Sequence, residues 1–535
     1  MYKLNKLTLQ DILLQGATNY GENPALSMLE GQPVSYAGIL SRARHLASVL
    51  ASQGVNPGDR VALLSENRVE WGIAYFAIAS MGAVVVPILT EFPAPQVAHI
   101  LEHAGCKAVV LSPRYRDRAG GEIAVIDIDG VTLLRTAPGA VRSSVTGPFP
   151  FPEVAEDDLA AILYTSGTTG QSKGVMLTHR NIVANAQATR TILAIEPTDR
   201  LLSILPLAHT YECTLGLVGA LLQGGHVYYL DRPPTASALL PAMARIRPTI
   251  MITVPLVIEK IFRSKVLPEL AKHRAYSHPL GRRVLHYLAG MKLKKTFGGC
   301  LRFFGIGGAS LGPDVERFLF EARFPYAIGY GLTETAPLVA GCASGKGHPG
   351  AVGPVLSGVD IRLTEGEIQV RGPNVMRGYY KDPERTREAF TKDGWFRTGD
   401  LGHVDAHGRL AIRGRIKTMI LGASGENIYP EEIEAVLNQS AYVGESLVYG
   451  DAKGVAALVV LKPEVAESFA VAVHDGIAKA ERSAAELLER IRMEVNANLA
   501  AFSRLVRVEL QTVPFEKTPT QKIKRFLYPR RGFDA

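Results

Sequence analysis

Hydrophobic positions in the first part of the chain follow two alternating periods. Apolar residues recur three or four apart through about 36–53, 67–81 and 94–104, which predicts helices. Short β-branched runs lie between them, near 60–63, 83–87 and 108–111, and predict strands. Such alternation implies mostly parallel sheets with helices on their faces. The longest apolar run, Gly72 to Leu89, approaches the length of a membrane span. Its internal order argues for something else. Trp71, Ala74, Ile78 and Met81 form a helical stripe, Gly82 stops it, and Ala83-Val84-Val85-Val86-Pro87 reads as a buried strand. Residues 131–158 lose all periodicity and carry Pro138, Gly139, Gly147, Pro148, Pro150 and Pro152, so they read as a connecting loop. A second α/β block is expected over about 159–340.

From about residue 350 the pattern changes. Val359, Ile361 and Leu363 alternate, Glu365-Gly366 suits a turn, and Ile368 and Val370 return. A second hairpin is expected around His407-Gly408. After Lys417, Pro430 sits at a first helical position with Ile433, Val436 and Leu437 on one face. Strands near 446–449 and 455–461, a helix near 480–501 and a strand near 506–512 complete an α+β unit. The expected fold is therefore α/β. Residues 1–416 would hold two α/β subdomains and a small β module, and residues 417–535 a small α+β domain.

Composition narrows the class. The 535 residues are 47% hydrophobic and 21% charged, which excludes wholesale disorder and collagen-like repeats. Cys106, Cys213, Cys300 and Cys342 lie far apart with no CxxC pair, as expected of isolated thiols in a reducing compartment. The N-terminal MYKLNKLTLQDILLQ lacks the apolar core of a signal peptide, so a cytoplasmic protein is expected. The net charge of +8 is local: residues 251–300 carry ten basic side chains against Glu259 and Glu269, and the rest of the chain sums to zero. Val257, Ile258, Ile261, Phe262, Leu285, Leu288 and Met291 interleave with that charge. This pattern suits peripheral contact of the 259–295 segment with an anionic membrane, or attraction of anionic substrates. No platform of aromatic and basic residues supports nucleic-acid binding.

The most distinctive local signal begins at Leu159-Ala160-Ala161-Ile162-Leu163-Tyr164. This apolar strand runs into Thr165-Ser166-Gly167-Thr168-Thr169-Gly170-Gln171-Ser172-Lys173-Gly174. Glycines admit a polyanion close to the backbone, hydroxyls donate hydrogen bonds, and lysine supplies a point charge. A solvated surface loop would not need that density of small hydroxyl residues directly after a buried strand. It is not a Walker loop, because Lys173 is followed by glycine.

This loop resembles the phosphate-binding loop of the adenylate-forming acyl- and aryl-CoA synthetase superfamily, which includes luciferases and peptide-synthetase adenylation domains. Ser172 stands where the family usually has proline. Further motifs follow in the family's order. Gly307-Gly308-Ala309 resembles the segment against adenine. Tyr330-Gly331-Leu332-Thr333-Glu334-Thr335 is similar to the family's YGxTE motif. The resemblance implies that Tyr330 stacks on adenine, Thr333 contacts phosphate and Glu334 holds Mg²⁺. Gly394 to Asp400 resembles the ribose motif, with Asp400 accepting from the ribose hydroxyls. Gly414-Arg415-Ile416-Lys417 resembles the hinge motif, with Arg415 also reaching the ribose. His209, in Leu205-Pro206-Leu207-Ala208-His209, matches a position near the acyl carboxylate. Glu516 to Arg525 resembles the terminal catalytic-lysine motif; Lys522 is the best match, with Lys517 and Lys524 as alternatives, and Gln521 replaces the usual glycine. Gly422 to Asn427 resembles the loop used in thioester formation and looks one residue long.

The resemblance implies a two-step ligase using ATP, Mg²⁺ and coenzyme A. A medium- or long-chain fatty acid is the expected substrate. Loading of an acyl carrier protein, or an aryl acid as substrate, remains the alternative. It further implies that residues 418–535 rotate about Lys417 between the two steps.

Overall fold

A computed structural model describes residues 2–137, 148–166, 172–422, 426–451, 453–467, 477–518 and 523–528. Two eight-stranded sheets dominate the described residues. The first runs in the order Gly378–Tyr379, Ser172–Thr178, Leu159–Ser166, Val84–Pro87, Arg60–Leu64, Cys106–Leu111, Ala124–Asp127, Thr132–Arg135. The second runs Leu338–Gly341, Tyr326–Gly331, Phe303–Ile306, Ile250–Thr253, Arg200–Ser203, His226–Tyr229, Pro24–Met28, Val34–Ser35. The central strands of both are parallel and joined through helices, as the alternating pattern predicts.

Two expectations are corrected here, and the expected helix over 67–81 is found, with more of it buried than the stripe alone. The chain does not switch sheets at residue 159. Leu159–Ser166 pairs in parallel with Val84–Pro87, so the strand after the long connection rejoins the first sheet. Pro24–Met28 instead pairs with His226–Tyr229 in the second. Periodicity reveals that a segment is a strand, but its partner is chosen by long-range packing. Within the expected connecting loop, Thr132–Arg135 is an edge strand antiparallel to Ala124–Asp127. The Val69–Ser80 helix has no exposed face at all: nearly every residue is buried. The stripe Trp71, Ala74, Ile78 is only one side of a helix packed among residues of both sheets, including Leu63, Val85, Leu26 and Tyr229. A helix apolar all round is what such a middle layer requires. Trp71 and Tyr75 stack there with ring centroids 5.4 Å apart.

The outer face of the second sheet is covered by the Ala236–Ile246, Pro255–Ile261, Pro279–Thr296 and Pro313–Glu321 helices. A four-stranded antiparallel sheet follows, in the order Asp360–Thr364, Glu367–Arg371, Phe396–Val404, Leu410–Arg415. Its first turn, Glu365-Gly366, has φ of +52° and +82°, the left-handed pair that a tight hairpin needs. Beyond residue 417, strands Val443–Asp451, Gly454–Leu461 and Arg507–Leu510 carry the helices Pro430–Leu437 and Ile477–Asn496. Ile433, Leu437, Val448, Ile491 and Val495 give this unit its own core. No helix among the described residues is long and apolar enough to cross a membrane.

Candidate active site

The two sheets and the third, smaller one bring their strand ends to a cleft of about 3680 Å³. At one end, Leu159–Ser166 and Ser172–Thr178 form an antiparallel pair with Thr165 opposite Lys173. Gly167, Thr168, Thr169 and Gly170 lie outside the described residues, as does Lys522; of Ser166 only the backbone is described. The Lys173 Nζ donates to Glu334 Oε1 at 2.6 Å and to the Tyr379 hydroxyl at 2.8 Å. Tyr379 in turn donates to the same Glu334 oxygen at 3.0 Å, and its ring centroid lies 4.4 Å from Nζ. Burial alone would push the Glu334 carboxyl up. The Lys173 charge and the hydrogen bonds from Lys173 and Tyr379 outweigh this and hold it below its ordinary value. The Thr165 Oγ1 is buried without a hydrogen-bond partner among the described residues.

Gly331 ends the strand that precedes Thr333 and Glu334. A Cβ there would lie 2.0 Å from the Pro337 carbonyl oxygen, so only glycine lets this turn close. The turn places Glu334 on the one-turn Thr333–Thr335 helix facing Lys173.

At the other end, the Tyr330 hydroxyl donates to Asp400 Oδ2 at 2.8 Å, and Arg415 Nε lies 2.9 Å from Asp400 Oδ1. Asp400 and Arg415 are direct cross-strand partners in the third sheet. The Asp400 backbone N–H donates to Thr398 Oγ1 at 3.0 Å within the same strand. Gly307, Gly308 and Ala309 line the cleft just after Phe303–Ile306. Gly307 lies against the Tyr211 ring, where an added Cβ would come within 3.1 Å. His209 borders the cleft at the start of the segment that carries Tyr211.

The structure thus gathers Thr165, Lys173, His209, Gly307, Gly308, Ala309, Tyr330, Gly331, Thr333, Glu334, Asp400, Arg415 and Lys417 around one cleft. Lys517 and Lys524 also face it, but both are engaged near the chain end. Lys517 Nζ lies 2.5 Å from Glu445 and Lys524 Nζ 3.1 Å from Glu516. Among the described residues no three His, Cys, Asp or Glu side chains cluster as a metal cage. One buried carboxylate beside threonine hydroxyls fits a Mg²⁺ that arrives on phosphates and keeps most of its waters.

Sequence reasoning missed Tyr379; Thr398 and Tyr211 stand in or beside runs it singled out, but it gave them no role. Tyr379 lies in a two-residue strand paired with the Lys173 strand, and nothing local marks its hydroxyl as chemical. Its position after glycine in Gly378-Tyr379-Tyr380 was the one available clue.

This arrangement belongs to an α/β protein with a polar cleft at its strand ends. The chain is a member of the AMP-binding enzyme family: residues 13–380 match the family and residues 417–528 match its C-terminal domain. It is 30% identical to the peroxisomal long chain acyl-CoA synthetase 7 of Arabidopsis thaliana, over 97% of this chain and 84% of that protein. It is 32% identical to the long-chain-fatty-acid–CoA ligase FadD15 of Mycobacterium bovis, over 92% of this chain and 90% of that protein. Among solved structures it is similar to ATP-bound MatB from Rhodopseudomonas palustris, with TM-score 0.77, 28% identity and 98% of each chain covered.

Proposed function

We propose that the protein is an AMP-forming acid–thiol ligase acting on medium- or long-chain fatty acids. The fatty carboxylate attacks the α-phosphate of ATP and pyrophosphate leaves. The thiol of coenzyme A then attacks the acyl carbon of the acyl-adenylate and AMP leaves. ATP supplies the activation, so the protein needs no nucleophile of its own; it must align the reactants and stabilise charge. The observation that carries this reading is the pairing of two polar ends in one cleft. Lys173 pairs with Glu334 at one end and Asp400 with Arg415 and Tyr330 at the other, and the Gly307–Ala309 segment lines the same cleft.

In this reading Lys173, Thr165, Thr333 and the 165–170 loop hold the phosphates, while Asp400 and Arg415 hold the ribose. Mg²⁺, held through Glu334, would offset phosphate charge. His209 faces the acyl carboxylate. Residues 1–416 form the adenylation domain and 417–535 a mobile domain hinged at Lys417. Lys522 spans carboxylate and α-phosphate in the first step. The engagement of Lys517 and Lys524 elsewhere supports Lys522 over either alternative. The names of the relatives support the long-chain substrate. The enzyme would work in the cytoplasm, with peripheral membrane contact through the 259–295 segment.

The test is pyrophosphate release across a panel of acids, with coenzyme A present and absent. Octanoate through stearate should be turned over fastest, with acyl-CoA as product. Faster turnover of aryl acids would overturn the substrate. Acyl-adenylate that passes to a carrier protein but not to free coenzyme A would overturn the acceptor. Absence of pyrophosphate with every acid would overturn the ligase.

A further inference from the structure

The Pro279–Thr296 helix carries an apolar stripe on its solvent side. Leu280, Val284, Tyr287, Leu288 and Met291 are between 43% and 76% exposed. At about 100° per residue they fall within an arc of about 100°. Arg283 and Lys294 border one edge of that arc, Lys292 the other, and Lys295 lies within it near the helix end; all four are exposed. The helix contains no Asp or Glu.

Its opposite face is firmly seated. His286, Gly290 and Leu293 are buried, and a Cβ on Gly290 would lie 2.7 Å from the Ala322 side chain. Arg282 donates to Glu321 at 2.9 Å, and His286 Nδ1 lies 2.7 Å from the same carboxylate. The stripe is therefore not a core face awaiting a fold partner, since the packing face of this helix is already used. Glu321 closes the Pro313–Glu321 helix, whose Glu316 and Arg317 line the catalytic cleft.

Five large apolar side chains left in water on one helix mark an interaction surface. A second copy of this chain fits poorly, because a two-fold contact through the stripe would bring cationic rims together with no acid on the helix to meet them. An anionic bilayer answers both features: its headgroups pair with the cations and its acyl boundary takes the stripe. We propose that this helix face docks the protein on an anionic lipid surface. Leu280, Val284, Tyr287, Leu288 and Met291 enter the boundary of headgroups and acyl chains. Arg283, Lys292, Lys294 and Lys295 meet the headgroups. The proposal deepens the peripheral contact named above and, for its purpose, rests on the fatty-acid reading. The docked helix packs on the helix that borders the cleft, so lipid-dissolved acid would be presented beside the site that consumes it.

The experiment is co-sedimentation of the full chain with vesicles. One set is phosphatidylcholine alone, the other phosphatidylcholine and phosphatidylglycerol in a two-to-one ratio. The protein should partition onto the mixed vesicles and be released by salt. Reversing Arg283, Lys294 and Lys295 to Glu should weaken partitioning on the order of a hundredfold. The uncharged pair Leu288→Ser and Met291→Ser should weaken it on the order of tenfold. The two sets test the charge and the stripe separately, so misfolding of one leaves the other decisive. Pyrophosphate release with water-soluble octanoate, without vesicles, should stay at the wild-type rate in both. Loss of that activity in the wild type would strike the ligase reading and leave docking standing. Equal binding to neutral and mixed vesicles, or unchanged binding by either variant, overturns the proposal. So does a self-association that the serine pair abolishes while vesicle binding is retained.

Discussion

Lys173 and Glu334, 161 residues apart in the chain, meet at 2.6 Å at the end of the cleft. The lysine side chain keeps 25% of its exposure and the glutamate 9%, so the two ends of the pair are not equivalent. Removing the cation strands a buried carboxylate, whereas removing the carboxylate leaves a cation with access to water. Lys173→Met should therefore destabilise the nucleotide-free protein by about 3 kcal/mol, and Glu334→Gln by about 1 kcal/mol or less. The double variant should recover most of the loss while remaining unable to release pyrophosphate. Urea unfolding of the four proteins gives the cycle; additive losses would show that the pair is not coupled.

Tyr379 ties that pair together through one hydroxyl. Tyr379→Phe keeps the ring beside Nζ and loses only the hydrogen bonds. Bonds to charged groups are worth about 1.5–3 kcal/mol, or about ten- to a hundredfold. The KM for MgATP should rise by about that factor and the KM for the acid should not move. A parallel rise in both would assign the hydroxyl to general packing.

Asp400 has both oxygens engaged, one by Tyr330 and one by Arg415. A ribose that binds here must share or displace these donors, so the charge on Asp400 should matter more than its shape. Asp400→Asn should weaken AMP binding on the order of tenfold or more, and Tyr330→Phe by less. Titration calorimetry with AMP checks the order; a larger loss for Tyr330→Phe would place the main ribose contact elsewhere.

The motif-bearing side of this site was legible because its residues lie in short runs whose chemistry is local. Gly331 before Thr333 and Glu334, and the glycine-rich segment after Leu163, announce close backbone approach to something polar. Tyr379 was not legible, since it matters only through Lys173 and Glu334, distant in sequence; Thr398 lay inside a readable motif, but its bond to the Ile368 carbonyl did not show. The same distinction runs through the fold. Hairpins at Glu365-Gly366 and His407-Gly408 were readable from turn chemistry. The return of Leu159–Ser166 to the first sheet was not, because strand pairing across 75 residues leaves no periodic trace.

The hinge proposed at Lys417 would separate the two half-reactions. Lys522→Ala should abolish adenylation while leaving thioester formation from supplied acyl-adenylate within a few-fold of wild type; losing one preorganised contact of this kind costs about 3–4 kcal/mol of barrier. Lys417→Pro, which restricts rotation at one backbone position, should spare adenylation and block the second step. Single-turnover assays of each half resolve this. Equal loss of both halves in Lys522→Ala, or normal overall turnover in Lys417→Pro, would remove these roles.

Glu212 gives a prediction about stability. It lies behind the cleft wall, 1% exposed, beside Gly216, where an added Cβ would sit 2.6 Å from its Oε1. Its Oε2 has no hydrogen-bond partner among the described residues. Burial pushes its carboxyl up to about 8, against the partial relief of hydrogen bonds from Ser203 and the Leu205 backbone. The folded protein thus keeps this proton where the unfolded chain, with an ordinary value of 4.5, has lost it. More protons on the folded state means that stability falls as pH rises through that window and levels off above it. Glu316 and Glu434, both raised to about 7, add slopes of the same sign, so the wild-type curve alone does not isolate Glu212. His179 and His226, lowered to about 4 by burial, act in the opposite sense as pH falls below the ordinary histidine value. Glu212→Gln keeps a neutral side chain of the same shape at every pH. It should match the wild type near pH 4 and exceed it by on the order of a few kcal/mol above pH 8. Urea unfolding of both proteins at the two ends of that range decides it. A difference that does not grow with pH would mean that Glu212 is already ionised in the folded protein.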